Sequence, residues 1–488
     1  MATPAIDQIQ FYSGENRSAD ELGGPMPLMT NALVDSVGTV HSRPGVSEWS
    51  DFPSVAASGS PVIGMIAWQG NLVWVTADRR IHAWPVGGDL IELSSDTDPN
   101  TKLDGGLRPC FVDGRQMLVI AGGGAVQKWT GSGLSARLIN TGAGGPPPSG
   151  LGLSGIAQRL VVAVADQSGQ VWWSGPLEEY ENWDMALGGS SYIQAAAKPD
   201  PILALSDNTN EVFCWGTQTI QVFSPANLAI DANDPNNVLD FAPSRTTTIG
   251  LGARCSIVQV DDNFAALDAL RRILITDART YTDISAPVVK LIRDFGRVDD
   301  CWGFRLRWGK WDALVFMFPS EQRGLVWNVT SSSWSEWLCS TDGGSPSDLT
   351  ITSAYHWAEQ DLFLVGMNDG TIAQIDENAR TDLGNPIPIR LVSGFVTHGS
   401  LGKKACRTFM AMLRRNAIST GAKARLSFRD DLGPWRFLKE IAVTGSAAAN
   451  LEIRSAGVYR QRQWMIEYSA ASEFSLVSAQ EEYEQLGA

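Results

Sequence analysis

Two groups of carboxylates offer the most direct chemistry in this sequence: Glu178, Glu179, Glu181 and Asp184, and the adjacent Asp299 and Asp300. Two carboxylates facing each other across a cleft could cleave a glycosidic bond, one as acid and the other as nucleophile or base. A chain with 53 Asp and Glu against 38 Lys and Arg has many solvated carboxylates, however, and neighbours in a loop are their ordinary outcome. Gly150-Leu151-Gly152-Leu153-Ser154-Gly155 has the spacing of a dinucleotide loop, which needs a strand before it and a helix after it. A proline run precedes it and the β-prone Arg159 to Ala165 follows it, so no cofactor site is assigned. His41, His82, His356 and His398 are far apart, and neither H-E-x-x-H, nor G-x-S-x-G, nor a phosphate-binding G-x-x-x-x-G-K-[ST] occurs. Cys110, Cys214, Cys255, Cys301, Cys339 and Cys406 form no C-x-x-C pair, so they read as reduced, mostly buried thiols. The expectation is no catalytic residue, no cofactor and no metal, hence not an enzyme.

The 18 tryptophans pose a similar choice. Trp172, Trp173, Trp302, Trp308, Trp311, Trp327, Trp334 and Trp337 could stack on sugars or bases, but most lie in strand-like runs, where packing in a core is the better reading. With 48 Gly and only 8 Tyr beside them, short twisted strands joined by glycine turns are expected.

What must position such residues is a repeat. Gly64 to Trp68, Asn71 to Val75, Arg80 to Trp84 and Asp89 to Leu93 are β-prone runs separated by Gln69-Gly70, Ala77-Asp78-Arg79 and Val86-Gly87-Gly88, a four-stranded meander. Its central hairpin recurs as Gln116 to Ile120 with Ala125 to Trp129, and as Arg159 to Ala165 with Gln170 to Ser174. Further copies are Glu211 to Trp215 with Thr219 to Ser224, and Asn263 to Ala266 with Arg272 to Thr276. Asp312 to Phe318 with Gly324 to Thr330, and Asp361 to Val365 with Thr371 to Asp376, complete the series. The spacing is on the order of 45–50 residues, the size of a propeller blade. An all-β fold is predicted, a β-propeller of about seven blades, with a six-bladed ring and a run of β-sandwiches as the alternatives.

Three segments stand outside the repeat. Asn16 to Ser42, ending in Arg43-Pro44-Gly45, is expected to run as an extended arm over the surface, giving an N-terminal arm at 1–46. The propeller is assigned to 47–380. From 381 to 488, longer alternating runs (Ile387 to Val396, Arg407 to Arg414, Lys423 to Arg429, Leu451 to Ala456, Arg460 to Ser469) predict an appended antiparallel β-sandwich or sheet. Gly142 to Pro148, with its three prolines, is a loop. The acidic end, Glu481, Glu482 and Glu484, reads as a plain solvated tail.

The net charge of −15 argues against sequence-independent nucleic-acid binding, although an acidic channel that repels DNA without gripping it is consistent with it. The first ten residues have neither a basic n-region nor an apolar h-region, and no stretch reaches the ~18 apolar residues of a membrane span. A cytosol-like site of synthesis is expected.

On His41-Ser42-Arg43-Pro44-Gly45-Val46, Trp173-Ser174-Gly175-Pro176-Leu177-Glu178 with Asn182-Trp183, Phe213 to Phe223, and the late Ser427 to Trp435 turn with Tyr459-Arg460-Gln461-Arg462, the chain resembles the packaged-DNA stabilisation proteins of short-tailed phages, the tail accessory or nozzle family. The stretch Ser427 to Trp435 also resembles the Asp-box turn of sialidase-type propellers, where the turn is structural. The phage resemblance implies a virion structural protein, assembled in the host cytoplasm. It implies a sixfold homo-oligomeric ring below the portal and adaptor, meeting a needle, tip or fibre protein at its far end, through which DNA passes without specific binding. For assembly contacts, Arg43, Pro44 and Gly45 of the arm and Gly144, Gly145, Pro146 and Pro147 of the loop are singled out, together with the C-terminal sheet. The alternatives are a glycan-binding or glycoside-hydrolysing propeller, or a cellular scaffold that binds peptides on one face.

Overall fold

Each repeat folds as a four-stranded antiparallel meander because its apolar runs are short and its separators favour tight reversals. Gln69 and Gly70, both with positive φ (48° and 76°), form the two-residue turn that joins Val62–Trp68 to Asn71–Thr76. The computed structural model describes residues 4–11, 29–52, 59–141, 149–156, 159–164, 169–176, 180–183, 191–195, 200–227, 239–340, 346–347, 350–414, 422–443 and 449–486.

Among the described residues, seven such sheets are formed in chain order, and the chain is a β-propeller. Blade 1 is Val62–Trp68, Asn71–Thr76, Ile81–Pro85 and Ile91–Glu92; blade 2 is Cys110–Asp113, Leu118–Ala121, Gln127–Trp129 and Ala136–Arg137. Blade 3 is Gly150–Ile156, Arg159–Val164, Gln170–Pro176 and Ser191–Gln194; blade 4 is Ile202–Asp207, Val212–Gly216, Ile220–Asn227 and Leu239–Thr247. Blade 5 is Val258–Val260, Asn263–Leu267, Ile273–Thr276 and Tyr281–Asp283, and blade 6 is Trp302–Trp308, Trp311–Phe318, Arg323–Asn328 and Ser333–Trp337. Blade 7 has only three strands from its own repeat, Ile351–Trp357, Leu362–Met367 and Ile372–Asp376. Its fourth is Gly45–Glu48, whose Val46 lies opposite Ile375. The ring is thus closed by pairing the N-terminal segment with the last blade.

A separate apolar cluster fills each seam between neighbouring blades. Tryptophan dominates several of them: Trp74, Trp84 and Trp357 between blades 7 and 1, Trp68 and Trp129 between blades 1 and 2. Of the tryptophans weighed as stacking surfaces, Trp173, Trp302, Trp311, Trp334 and Trp337 are buried. Trp172, Trp308 and Trp327 are half-buried.

The C-terminal part is a two-sheet sandwich around an eighth core built on Phe409, Trp464, Ile466 and Phe474. One sheet orders Ala32–Val34, Val40–Ser42, Ser475–Gln485, Lys404–Arg414 and Ala449–Tyr459, with Ala5–Gln8 also pairing Ser475–Gln485. The other orders Met29–Thr30, Pro388–Val392, Arg462–Ser469, Lys423–Asp430 and Arg436–Ala442. Met29–Thr30 also pairs in parallel with Ser333–Trp337 of blade 6, so one nine-stranded sheet runs from the propeller into the sandwich.

Two expectations are corrected here. The N-terminal segment is not a surface arm: residues 29–34 and 40–46 are buried, and they form strands of the sandwich and of blade 7. The reason is Arg43, 1% exposed, which spends its five N–H groups inside the chain. Nε donates to Asn31 Oδ1 (2.9 Å), Nη1 to the Pro44 carbonyl (3.0 Å) and Asp382 Oδ1 (2.9 Å), and Nη2 to the Leu338 carbonyl (3.1 Å) and Asp382 Oδ2 (2.5 Å). The guanidinium also lies over the Trp337 ring, 4.4 Å from its centroid. Arg43, Pro44 and Gly45 therefore join the two domains from within and present no surface to another subunit. The carbonyls of Thr381 and Ala379 occupy the space that a side chain at position 45 would need. The acidic end is likewise no solvated tail: Ser475–Gln485 is an interior strand of the sandwich, flanked on both sides.

Candidate functional site

The first strands of all seven blades converge on one axial cavity of about 440 Å³. Its walls are mixed, with Met65, Phe111, Leu153 and Phe264 supplying apolar surface. Two cations enter it from loops: Arg108, before blade 2, and Arg254, before blade 5. Arg108 Nη1 donates to the carbonyls of Thr352 (2.5 Å) and Ile63 (3.3 Å), which ties blades 7 and 1 together. Its guanidinium stacks 4.9 Å over the centroid of Trp302. Arg254 Nη1 reaches the Arg108 carbonyl (3.4 Å), and Nη2 donates to the Leu151 carbonyl and contacts Cys110 Sγ (3.7 Å).

Burial pushes the Arg108 guanidinium below its usual range, opposed by Cys255, Cys301 and Asp300. Burial pushes the Cys255 thiol up, against the pull of Arg254 and Arg108, and pushes Cys301 up as well, there aided by Asp300. Asp207 lines the same cavity, and burial raises its carboxyl. The widely spaced cysteines thus meet in part around the axis, but among the described residues they form no disulfide, and no group of three His, Cys, Asp or Glu side chains is placed to hold a metal.

Trp302, Cys110 and Cys255 line this cavity, but the carboxylates that the sequence brought forward are not gathered here. Asp299 forms a surface ion pair with Arg297 (2.6 Å), and Asp300 Oδ2 accepts from the Ser320 amide (2.9 Å) and hydroxyl (2.6 Å). Glu181 pairs with Lys128 (2.6 Å) and accepts from the Ile139 amide (2.9 Å). Glu178, Glu179 and Asp184 lie outside the described residues, as do Gly144, Gly145, Pro146 and Pro147. Gly150 to Gly155 is part of the first strand of blade 3, with no helix after it. His82 is buried against Trp74 (5.3 Å between ring centroids), with both ring nitrogens unpartnered among the described residues. The Ser427 to Trp435 stretch is a sandwich strand and turn whose Asp430 pairs with the buried Arg462 (2.7 Å).

A second polar cluster, which takes in Tyr459 and Arg460 of the Tyr459-Arg460-Gln461-Arg462 stretch, sits at the edge of the sandwich core. Glu481, fully buried, accepts from Tyr459 Oη (2.7 Å) and Trp464 Nε1 (2.9 Å). Burial, then Glu481, pushes the Tyr459 phenol well above its ordinary value. His398 bridges Tyr459 Oη (2.8 Å) and Asp7 Oδ2 (2.9 Å) and stacks on Tyr483 at 3.7 Å. Lys404, also buried, donates to the carbonyls of Ser400 (2.5 Å), Gly402 (2.8 Å) and Arg460 (2.8 Å). Every one of these groups has a partner within the fold, so the cluster fixes the N-terminal strand Ala5–Gln8 to the sandwich.

Neither a family model nor a curated protein matches the chain. Among solved structures, the WD40 β-propeller domain of Doa1 aligns over 68% of this chain and 96% of its own, at 12% identity and a TM-score of 0.40. BamB from Moraxella catarrhalis aligns over 76% of this chain and 97% of its own, at 10% identity and a TM-score of 0.38. Likeness at this level concerns the fold alone, and the propeller assignment rests on the strand pairing above.

Proposed function

We propose that this protein is a structural subunit of a short-tailed phage virion, one of a sixfold ring that forms the tail nozzle or hub below the portal and adaptor. The observation that carries the reading is the continuous nine-stranded sheet from blade 6 into the sandwich. A ring through which pressurised DNA leaves must hold its parts at fixed angles, and a shared sheet fixes two domains more firmly than a linker. The charge of −15 supports the same reading, because an acidic wall repels phosphate and lets DNA slide. On this reading the adaptor binds one face and a needle, tip or fibre protein the other. The exposed edge strand Arg436–Ala442, with Phe437 53% exposed, is a surface through which neighbours are met.

Electron microscopy of the purified protein, alone and with a candidate portal–adaptor complex, tests the proposal. Sixfold rings around an open channel are expected. A monodisperse monomer that ignores the portal complex overturns it.

A further inference from the structure

The axial cavity holds two cations that no carboxylate pairs with directly among the described residues; Asp300 acts on Arg108 only from a distance. Among the described residues, the side-chain contacts of Arg108 and Arg254 are carbonyls, an aromatic ring and a sulfur, and neither guanidinium pairs with a carboxylate. Carbonyl dipoles solvate a cation, but they leave its unit charge in place. Among the described residues the carboxyl lining the cavity is Asp207, which burial shifts up and which forms no ion pair with Arg108 or Arg254. Arg108 keeps Nε and Nη2, and Arg254 keeps Nε, without a hydrogen bond among the described residues. Trp302, which forms the floor under Arg108, has its indole N–H buried and unpartnered among the described residues. A concave chamber of mixed polar and apolar walls, with convergent donors and two guanidinium groups unpaired with carboxylates, is the arrangement that captures an anion.

We propose that the axial cavity is a binding site for a small organic carboxylate, its oxygens held by the free N–H groups of Arg108 and Arg254 and its apolar body packed against Met65, Phe111 and Phe264. Guanidinium edges match a planar carboxylate, and the volume of about 440 Å³ accommodates an aromatic or short aliphatic acid. The apolar walls favour such an acid over inorganic phosphate, which would leave them unfilled. The inference is independent of the assembly role, since it concerns the centre of a single propeller and not the channel of a ring.

The test uses the full chain with benzoate, phenyl phosphate and inorganic phosphate as probes, at ionic strength held constant with chloride. Benzoate at about a hundredfold excess over its Kd is expected to raise Tm by about 2–3 °C in a saturable way. Arg254→Met is expected to weaken benzoate by about tenfold or more, with Arg254→Lys intermediate. Fluorine NMR of 4-fluorobenzoate on the unmodified protein, with a magnetisation-transfer contact to the Trp302 indole, reports occupancy of this cavity independently of how the variants fold. No saturable effect of benzoate, equal affinity in Arg254→Met, or a response confined to the phosphates overturns the proposal.

Discussion

Replacing Arg43 by methionine separates a buried ion pair while keeping much of the side-chain volume. The Asp382 carboxylate, with a side chain only 12% exposed, is left without its counter-ion. Removing one partner of a buried pair costs about 3–5 kcal/mol. Unfolding entropies of about 2.1 cal/mol/K per residue give about 1 kcal/mol/K for 488 residues, so a loss of about 4 kcal/mol lowers Tm by about 4 °C. Scanning calorimetry at one scan rate on Arg43→Met, Asp382→Asn and the double variant measures the coupling, expected to exceed about 2 kcal/mol because both groups share one site. Amide exchange adds a local reading: Gly45–Glu48 and Ile372–Asp376 are expected to lose protection before the sandwich does. A Tm drop below about 1 °C for Arg43→Met, or strictly additive single variants, refutes the claim that this pair joins the propeller to the sandwich.

Other expectations follow from the same geometry. Asp200 accepts five hydrogen bonds from Thr217, Gln218 and Thr219; burial raises its carboxyl, but these bonds outweigh it and the net shift is downward. Its contribution is therefore complete above the ordinary carboxyl value of 3.8 and lost as pH falls through the lower folded value, so Asp200→Asn should flatten acid unfolding curves below about pH 4 while destabilising at neutral pH. Burial pushes His82 down from 6.5, so its contribution is present above that value and lost as pH falls; His82→Phe should gain relative stability at pH 5 compared with pH 8, and equal effects at both would refute this. Burial, and after it Glu481, pushes Cys406 up to about 12, and burial shields Cys214, Cys301 and Cys339. Iodoacetamide at neutral pH should therefore label Cys110 first in the folded chain, with Cys255 much slower because burial also pushes its thiol up, as read by peptide mass spectrometry. Trp464→Ala should cost about 3–5 kcal/mol, through lost packing on Phe409 and the loss of one of the donors to the buried Glu481 carboxylate, and urea titration would measure it.

The blade meanders are legible in the sequence because each pairs within itself across a short turn. Asp312 to Phe318 and Gly324 to Thr330, for example, face each other as Trp311–Phe318 and Arg323–Asn328. What is hidden in the sequence depends on distant partners. Gly45–Glu48 is flanked by Arg43-Pro44 and looks like a loop, yet its partner strand lies more than 300 residues on, as the Gln374–Ser47 side-chain bond shows with its separation of 327. Ser475–Gln485 is strand-like only once Tyr459 and Trp464 are in place to satisfy Glu481; in isolation its glutamates read as solvated. The outermost strands Ile91–Glu92 and Ala136–Arg137 are too short for a periodicity signal. The axial arginines, 146 positions apart, share a cavity because ring closure brings the loops before blades 2 and 5 to one axis.

The closing strand also sets a clock on folding. His41 meets Ser475 across a separation of 434 residues. At synthesis rates of about 5–20 residues per second, that interval lasts about 20–90 seconds, during which Val40–Ser42 has left the ribosome without its C-terminal partner strand. The blades can form one by one as they emerge, because their contacts are local, whereas closure of the ring waits for Ile372–Asp376 and assembly of the sandwich for Ser475–Gln485. Newly made chains therefore pass through an open state with an unpaired seventh blade and an unpaired leader strand, and each can pair with the same surfaces of another chain. Rapid synthesis at high concentration favours that exchange, and chaperone capture of the leader strand would suppress it.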